Sequence, residues 1–135
     1  MANVLGIKLS DLSEAELLTR LDSFLDGTTG HLLVTPNPEI ILRAQKDEEY
    51  FYILNQADIA IADGFGLVLA GLIERQKIPR ITGSDLTPKL LARAADCGQR
   101  VLILNWRGGL SQAPDIMELC QKRWPKRLKP KSPRM

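Results

Sequence analysis

At 135 residues the chain has room for about one domain, and a hydrophobic content of 44% is ample for a globular core, which excludes disorder throughout. No apolar stretch approaches the roughly 20 residues that span a bilayer, and the first residues lack the basic-then-apolar pattern of a signal peptide, so the expected compartment is the cytoplasm. The formal net charge of +2 conceals a strongly basic end and an acidic remainder.

In chain order, Ser13 and Glu16 form a capping box, and Leu17, Leu18, Leu21, Phe24 and Leu25 follow at helical spacing until Gly27 stops the pattern. That helix is expected to pack on a sheet. A turn around Thr28, Thr29 and Gly30 leads to the apolar run Leu32-Leu33-Val34 and then to a polar loop, Thr35-Pro36-Asn37-Pro38-Glu39. Asn37 is suited to cap the next helix, with Pro38 at its first position and Glu39 in its first turn. Ile40, Ile41 and Ala44 continue it, and Asp47 caps another helix through Leu54. The run Ile59-Ala60-Ile61-Ala62 reads as a strand ending on a second loop, Asp63-Gly64-Phe65-Gly66. The helix from about Phe65 carries Leu67, Val68, Ala70, Gly71, Leu72 and Ile73, apolar almost all round, and is expected to be central with little exposure.

A third polar loop, Arg80-Ile81-Thr82-Gly83-Ser84-Asp85, precedes a helix from about Leu86 to Asp96, which Ser84 is expected to cap. Val101-Leu102-Ile103-Leu104 reads as the next buried strand, and a last helix runs from about Ala113 to Trp124, before Pro125. Strand–helix alternation of this kind predicts an α/β fold with a largely parallel sheet flanked by helices. The chain then looks cut short, because Lys126-Arg127-Leu128-Lys129-Pro130-Lys131 cannot make the buried strand that should follow. Lys122, Arg123, Lys126, Arg127, Lys129, Lys131 and Arg134 have no acid among them. Such a tail either binds anionic lipid or nucleic acid or is a solvated, frayed end.

Cys97 and Cys120 lie in helical patterns without a C-x-x-C spacing, which predicts buried reduced thiols. His31 is the only histidine and there is no Asp-x-Asp pair, so neither a zinc cluster nor an acidic pair for a metal–diphosphate is expected. Ser84 lies outside any nucleophile-elbow pattern, which disfavours triad hydrolysis. In an open α/β sheet the strand-to-helix turns line the crevice where ligands bind, so chemistry is expected at the Thr35 and Asp63 loops. Gly64 and Gly66, lacking a β-carbon, either let backbone N–H groups approach a phosphate or sugar or serve only a tight turn. Asp63 is either a helix cap or a carboxylate that takes a proton from an attacking hydroxyl.

Taken together and in order, Val34-Thr35-Pro36-Asn37-Pro38-Glu39, Ala44-Gln45-Lys46-Asp47, Leu54-Asn55-Gln56-Ala57-Asp58, Ala62-Asp63-Gly64-Phe65-Gly66 and Arg80-Ile81-Thr82-Gly83-Ser84-Asp85-Leu86 resemble the WecG/TagA/CpsF family of bacterial glycosyltransferases. The resemblance implies a Rossmann-like fold and inverting, metal-independent transfer of an N-acetylmannosamine-type sugar. The donor would be a UDP-sugar and the acceptor a lipid-linked diphosphate-N-acetylglucosamine, in teichoic acid, enterobacterial antigen or capsule synthesis. Asp63 would be the base for the acceptor hydroxyl. Thr35 and Asn37 would orient sugar hydroxyls or the base, Gly64 and Gly66 would admit the substrate, and Arg80, Thr82, Gly83, Ser84 and Asp85 would frame the substrate or diphosphate. No cofactor is implied.

Two departures accompany the resemblance. The glycine-rich turn usual after the fourth strand reads Asn105-Trp106-Arg107-Gly108-Gly109 here, with its glycines displaced. The family also continues beyond the end of this chain, so residues 1–124 are expected to be its N-terminal α/β region, lacking the C-terminal part of the fold, and 125–135 a basic, disordered tail. Three readings follow: a glycosyltransferase, peripheral at the inner face of the membrane and completed by a homo-oligomer or C-terminal partner; an inactive remnant that only binds sugar nucleotide or anionic lipid; and a tail-driven membrane or nucleic-acid binder, nucleic acid being the less favoured target.

Overall fold

The computed structural model describes residues 1–104 and 113–123. Two units are distinguished, Met1–Thr87 and Pro88–Met135. The Asn105–Gly109 turn, the expected boundary at residue 124 and the basic tail lie outside the described residues.

The first unit opens with a hairpin that the motif reading missed. β1 (Ala2–Val4) and β2 (Ile7–Leu9) pair antiparallel, Ala2 opposite Leu9 and Val4 opposite Ile7. Leu5 and Gly6 form the two-residue turn with φ of 49° and 82°, the positive pair that matches the right-handed twist of the strands. Strict alternation puts Ala2, Val4, Ile7 and Leu9 on the buried face.

α1 (Glu14–Asp26) begins with the expected capping box, in which the Ser13 side chain accepts from the Glu16 N–H and the Glu16 carboxylate accepts from the Ser13 N–H. Leu17 and Leu21 form its buried stripe. At its far end Phe24 stacks on His31 with ring centroids 3.7 Å apart. β3 (Leu33–Val34) is followed by α2 (Pro38–Ala44) and α3 (Glu48–Asn55), each capped as expected by Asn37 and Asp47. This two-helix crossover returns the chain to β4 (Ile59–Ala60), parallel to β3, with Leu33 opposite Ile59 and Val34 opposite Ala60. The Ser10 N–H donates to the Ala60 carbonyl at 2.7 Å, which brings the hairpin's exit beside β4. The sheet structure among the described residues is therefore one parallel pair and one antiparallel hairpin, within a mixed α/β fold.

Four expectations are corrected. α4 (Phe65–Ile73) buries only Leu67 and Gly71, whereas Phe65, Leu69, Leu72 and Ile73 are exposed, so it is a surface helix despite its apolar composition. α5 (Gly83–Asp96) starts three residues before Leu86, because Thr82 takes the cap position expected of Ser84: its Oγ1 accepts from the Asp85 N–H at 3.1 Å. Val101–Leu104 forms no strand, and Leu102 and Leu104 are 82% and 87% exposed. An apolar run becomes a strand only with a neighbour to pair with, and none is recorded for it among the described residues. The thiols are free, but Cys97 is exposed and Cys120 half-buried, so neither is the buried residue expected. α6 (Ala113–Arg123) occupies the span expected of the last helix.

Candidate functional site

Three loops of the first unit converge, and the parallel pairing explains the first two. The Ile59 N–H donates to the Leu32 carbonyl, the Ile61 N–H to Val34 and the Asp63 N–H to Pro36, at 3.3, 3.0 and 2.8 Å. This ladder runs past the ends of β3 and β4 and sets Pro36 beside Asp63. Both loops therefore leave the same, carboxyl, end of the pair, as parallel strands require. Pro36 is fully buried between them and was not singled out from sequence.

The third loop closes on the first two at Gly83. Its N–H donates to Asp63 Oδ2 at 3.3 Å. A β-carbon at Gly83 would stand 3.3 Å from both Asp63 Oδ2 and Thr35 Oγ1. Thr35, Asp63 and Gly83 thus meet around one point, with Thr35 and Asp63 half-buried. Asp63 does not cap α4, whose first turn has no side-chain cap; its carboxylate turns to the start of α5 instead. The positive end of the 14-residue α5 consequently faces the carboxylate.

Gly64 and Gly66 hold this arrangement for different reasons. Gly64 has φ 106° and ψ 153°, a conformation open in practice only to glycine. At Gly66 a β-carbon would come within 2.9 Å of Pro38 Cγ, so the close packing of the α4 start on the α2 start requires a residue without one.

The remaining expected residues divide. Asn37 lies on the loop, and its Oδ1 accepts from the Ile40 N–H at 2.8 Å, leaving the amide NH2 uncommitted to the cap. Thr82, Ser84 and Asp85 form a local cluster: Thr82 Oγ1 donates to Asp85 Oδ2 at 2.6 Å and lies 2.9 Å from Ser84 Oγ, which must then be the donor of that pair. Ser84 and Asp85 are exposed, and Arg80 is exposed on the segment leading to α5. An open cleft of about 410 Å³ lined by Arg43, Asp47, Glu49, Tyr50 and Ile53 shares no residue with the three loops. Among the described residues no three of His, Cys, Asp and Glu come together in a way that could hold a metal ion. No helix among them is long and apolar enough to cross a membrane.

Two residues of the sequence blocks that carry the family resemblance, Gln45 and Asn55, make contacts that serve the fold. Asn55 Nδ2 donates to the Gly6 carbonyl at 3.2 Å and its Oδ1 accepts from the Lys8 N–H at 3.1 Å, while Gln45 Nε2 donates to the Leu5 carbonyl at 3.0 Å. Both tie the hairpin turn to the helices.

Comparison with known proteins agrees with the motif order. One similar protein is the N-acetylglucosaminyldiphosphoundecaprenol N-acetyl-beta-D-mannosaminyltransferase of Bacillus spizizenii strain W23, 38% identical over 80 residues, which are 58% of this chain and 31% of that protein. The protein of the same name from Staphylococcus aureus strain MRSA252 is 28% identical over 126 residues, 91% of this chain and 49% of that protein. The chain thus spans about half the length, or less, of these curated relatives. The model of the glycosyl transferase WecG/TagA/CpsF family matches residues 2–130, nearly the whole sequence, and the chain belongs to that family.

Proposed function

We propose that this chain carries the acceptor-activating part of an N-acetylmannosaminyltransferase with a Rossmann-like fold, acting peripherally at a membrane on a lipid-linked diphosphate-N-acetylglucosamine. The observation that carries the proposal is the meeting of Thr35, Asp63 and Gly83 at the carboxyl end of the parallel pair. In the proposed reaction the acceptor oxygen forms a bond to the anomeric carbon of the UDP-sugar as the bond to the diphosphate breaks. The electron pair leaves with UDP, the acceptor proton passes to the Asp63 carboxylate, and attack from the face opposite UDP inverts the centre.

Charge developing on the diphosphate needs positive potential already in place. The start of α4, with no side-chain cap, and the start of α5 supply it in this proposal, with the exposed Arg80 as the cation, and no metal is invoked. Thr35 and the Asn37 NH2 orient sugar hydroxyls, Gly64 and Gly66 let the substrate approach the backbone, and Thr82, Ser84 and Asp85 set the start of α5. The names of the relatives support the choice of sugar and acceptor.

The test is UDP release from UDP-N-acetylmannosamine with a lipid-diphosphate-N-acetylglucosamine acceptor. Acceptor-dependent release is expected from the chain, and Asp63→Asn is expected to lower it by about 10²–10⁴-fold, the range for loss of a general base. Release that survives Asp63→Asn removes Asp63 from the role of base. Absence of release from both proteins overturns transfer by this chain and leaves the binding-only reading, to be measured as affinity for UDP-sugar.

A further inference from the structure

Thr82 shares a peptide group with the N–H that donates to Asp63, and its own hydroxyl has no hydrogen-bonding capacity left. A threonine hydroxyl offers one proton and two lone pairs. Thr82 Oγ1 donates to Asp85 Oδ2 at 2.6 Å and accepts from the Asp85 N–H at 3.1 Å; with its proton so used, it also accepts from Ser84 Oγ at 2.9 Å. All three positions are filled from within the first turn of α5. None remains for a sugar hydroxyl or a phosphate oxygen, although the family resemblance groups Thr82 with residues that would frame the substrate.

What these bonds fix is the direction of one N–H. The Thr82 carbonyl and the Gly83 N–H belong to a single planar peptide group and point in opposite directions. At one end the carbonyl accepts from the Leu86 N–H at 3.0 Å, and at the other the N–H donates to Asp63 Oδ2 at 3.3 Å. The Gly83 carbonyl in turn accepts from Thr87 Oγ1 at 2.7 Å. Ile81 and Leu86, 8% and 2% exposed, anchor the turn in the interior on both sides of this peptide. Burial fixes where the turn lies, and the Thr82 hydroxyl closes it by tying the cap position to Asp85 three residues on. A first turn that loses its cap frays, and rotation of the Thr82–Gly83 peptide then takes the N–H away from the carboxylate.

We propose that Thr82 is a positioning residue for Asp63: its saturated hydroxyl locks the start of α5 so that the Gly83 N–H holds the carboxylate in place to take the acceptor proton. This rests on the transferase reading above for the role of Asp63. Every group in this chain of contacts belongs to the unit Met1–Thr87.

The test has a kinetic arm and an exchange arm, both on the full chain. Thr82→Val removes the hydroxyl at nearly constant shape, and Thr82→Ser keeps it. In the UDP-release assay, Thr82→Val is expected to lower kcat at least about tenfold, as misplacement of a reacting group does, with KM for donor and acceptor within about twofold of the parent. Thr82→Ser is expected to stay within about threefold of the parent, since serine caps as well as threonine. In amide exchange followed by NMR, Gly83 of the Thr82→Val protein is expected to exchange at least about fivefold faster, the scale of a lost helix cap. The Ile61 amide, bonded to the Val34 carbonyl, keeps its rate.

A raised KM at unaltered kcat overturns the proposal, because Thr82 would then be a substrate contact. Activity that falls only in step with the urea midpoint, with Ile61 exchange rising beside that of Gly83, overturns it as global destabilisation. Thr82→Ser as impaired as Thr82→Val also overturns it, since the hydroxyl would not be what matters. If Thr82→Val does not fold, Asp85→Ala is read instead, which keeps the capping oxygen and removes the carboxylate that orients its proton. Faster Gly83 exchange and lower kcat at constant KM are expected there, and no change in either overturns the proposal. If the parent releases no UDP, the transferase reading fails, and the exchange arm alone decides: unaltered Gly83 exchange overturns the hold of Thr82 on Asp63, and faster exchange upholds it.

Discussion

Gly64, Gly66 and Gly83 are three residues without side chains, and each is required for a different physical reason. Gly64 has room for a β-carbon, its nearest neighbour being Pro38 Cδ at 4.0 Å, but its backbone does not permit one. Gly64→Ala is expected to cost about 1–3 kcal/mol in urea unfolding through backbone strain. Gly66 meets Pro38 Cγ instead, and Gly66→Ala is expected to cost about 1–3 kcal/mol through overpacking, relieved in part when Pro38→Ala is added; Gly64→Ala should gain no such relief. Gly83→Ala should leave the urea midpoint near that of the parent, since alanine favours a helix, while displacing Asp63 and Thr35 by a few tenths of an ångström. At least about a tenfold loss of acceptor-dependent UDP release is the expected result, because catalysis is far more sensitive than folding to such a displacement. In sequence these glycines could be read only as sites of close approach to a ligand or of a turn. Which of them answers to strain, to a proline ring or to the Asp63 carboxylate depends on contacts between loops that no single segment encodes.

At the level of the elements, local chemistry was readable wherever a helix start is specified by residues within one turn. Ser13 with Glu16, Asn37 with Pro38, and Asp47 all cap as their residue types dictate. Thr82 displaced the expected Ser84 because two adjacent hydroxyl residues compete for one cap position and only the backbone path decides between them. The capping of α2 by Asn37 and the sugar-orienting role proposed for it can be separated by substitution. Asn37→Ala is expected to cost about 1 kcal/mol of stability through loss of the cap, whereas Asn37→Asp keeps the capping oxygen and loses only the NH2 donor. If the NH2 orients a sugar hydroxyl, Asn37→Asp lowers UDP release with an unaltered urea midpoint; equal release by the two proteins would remove that role. The caps also predict acid sensitivity. The Glu16 carboxyl is held below its usual value by the Ser13 hydroxyl and N–H, and Asp58 below its own by the Leu32 N–H and then by His31. For a depressed carboxyl the unfolded chain binds more protons in the interval below about pH 4, so stability rises with pH there and is lost as pH falls through the folded values. Urea midpoints across pH 3 to 6 should show this fall, and Asp58→Asn should reduce it.

Across the whole molecule, the candidate site depends on a hairpin that contains none of its residues. The Thr35, Asp63 and Gly83 loops and the hairpin all belong to the unit Met1–Thr87. β4, the strand that delivers Asp63, is bonded on one side to β3 and on the other to Ser10 at the hairpin's exit. Leu5-Gly6 lacks the Asn or Asp that marks a two-residue hairpin turn, and three-residue strands are too short for alternation to stand out, so this element was not legible in the sequence. The opposite error at Val101–Leu104 has the same origin, since strand formation is a property of pairs and a sequence displays only one member. Ile7 is fully buried in the core that joins the hairpin to Ala60 and Ala62, the residues leading into the site. Ile7→Ala is therefore expected to cost about 2–5 kcal/mol and Ile7→Val about 0.5–1.5 kcal/mol in urea unfolding. Because the hairpin supports β4 directly, the Ile7→Ala loss should also appear in the site. In hydrogen exchange the Ile61 and Asp63 amides should lose protection together with the hairpin amides. Retained protection at Asp63 in a destabilised Ile7→Ala protein would show that the β3–β4 pair holds the site without the hairpin, and would break the link between this core and the proposed base.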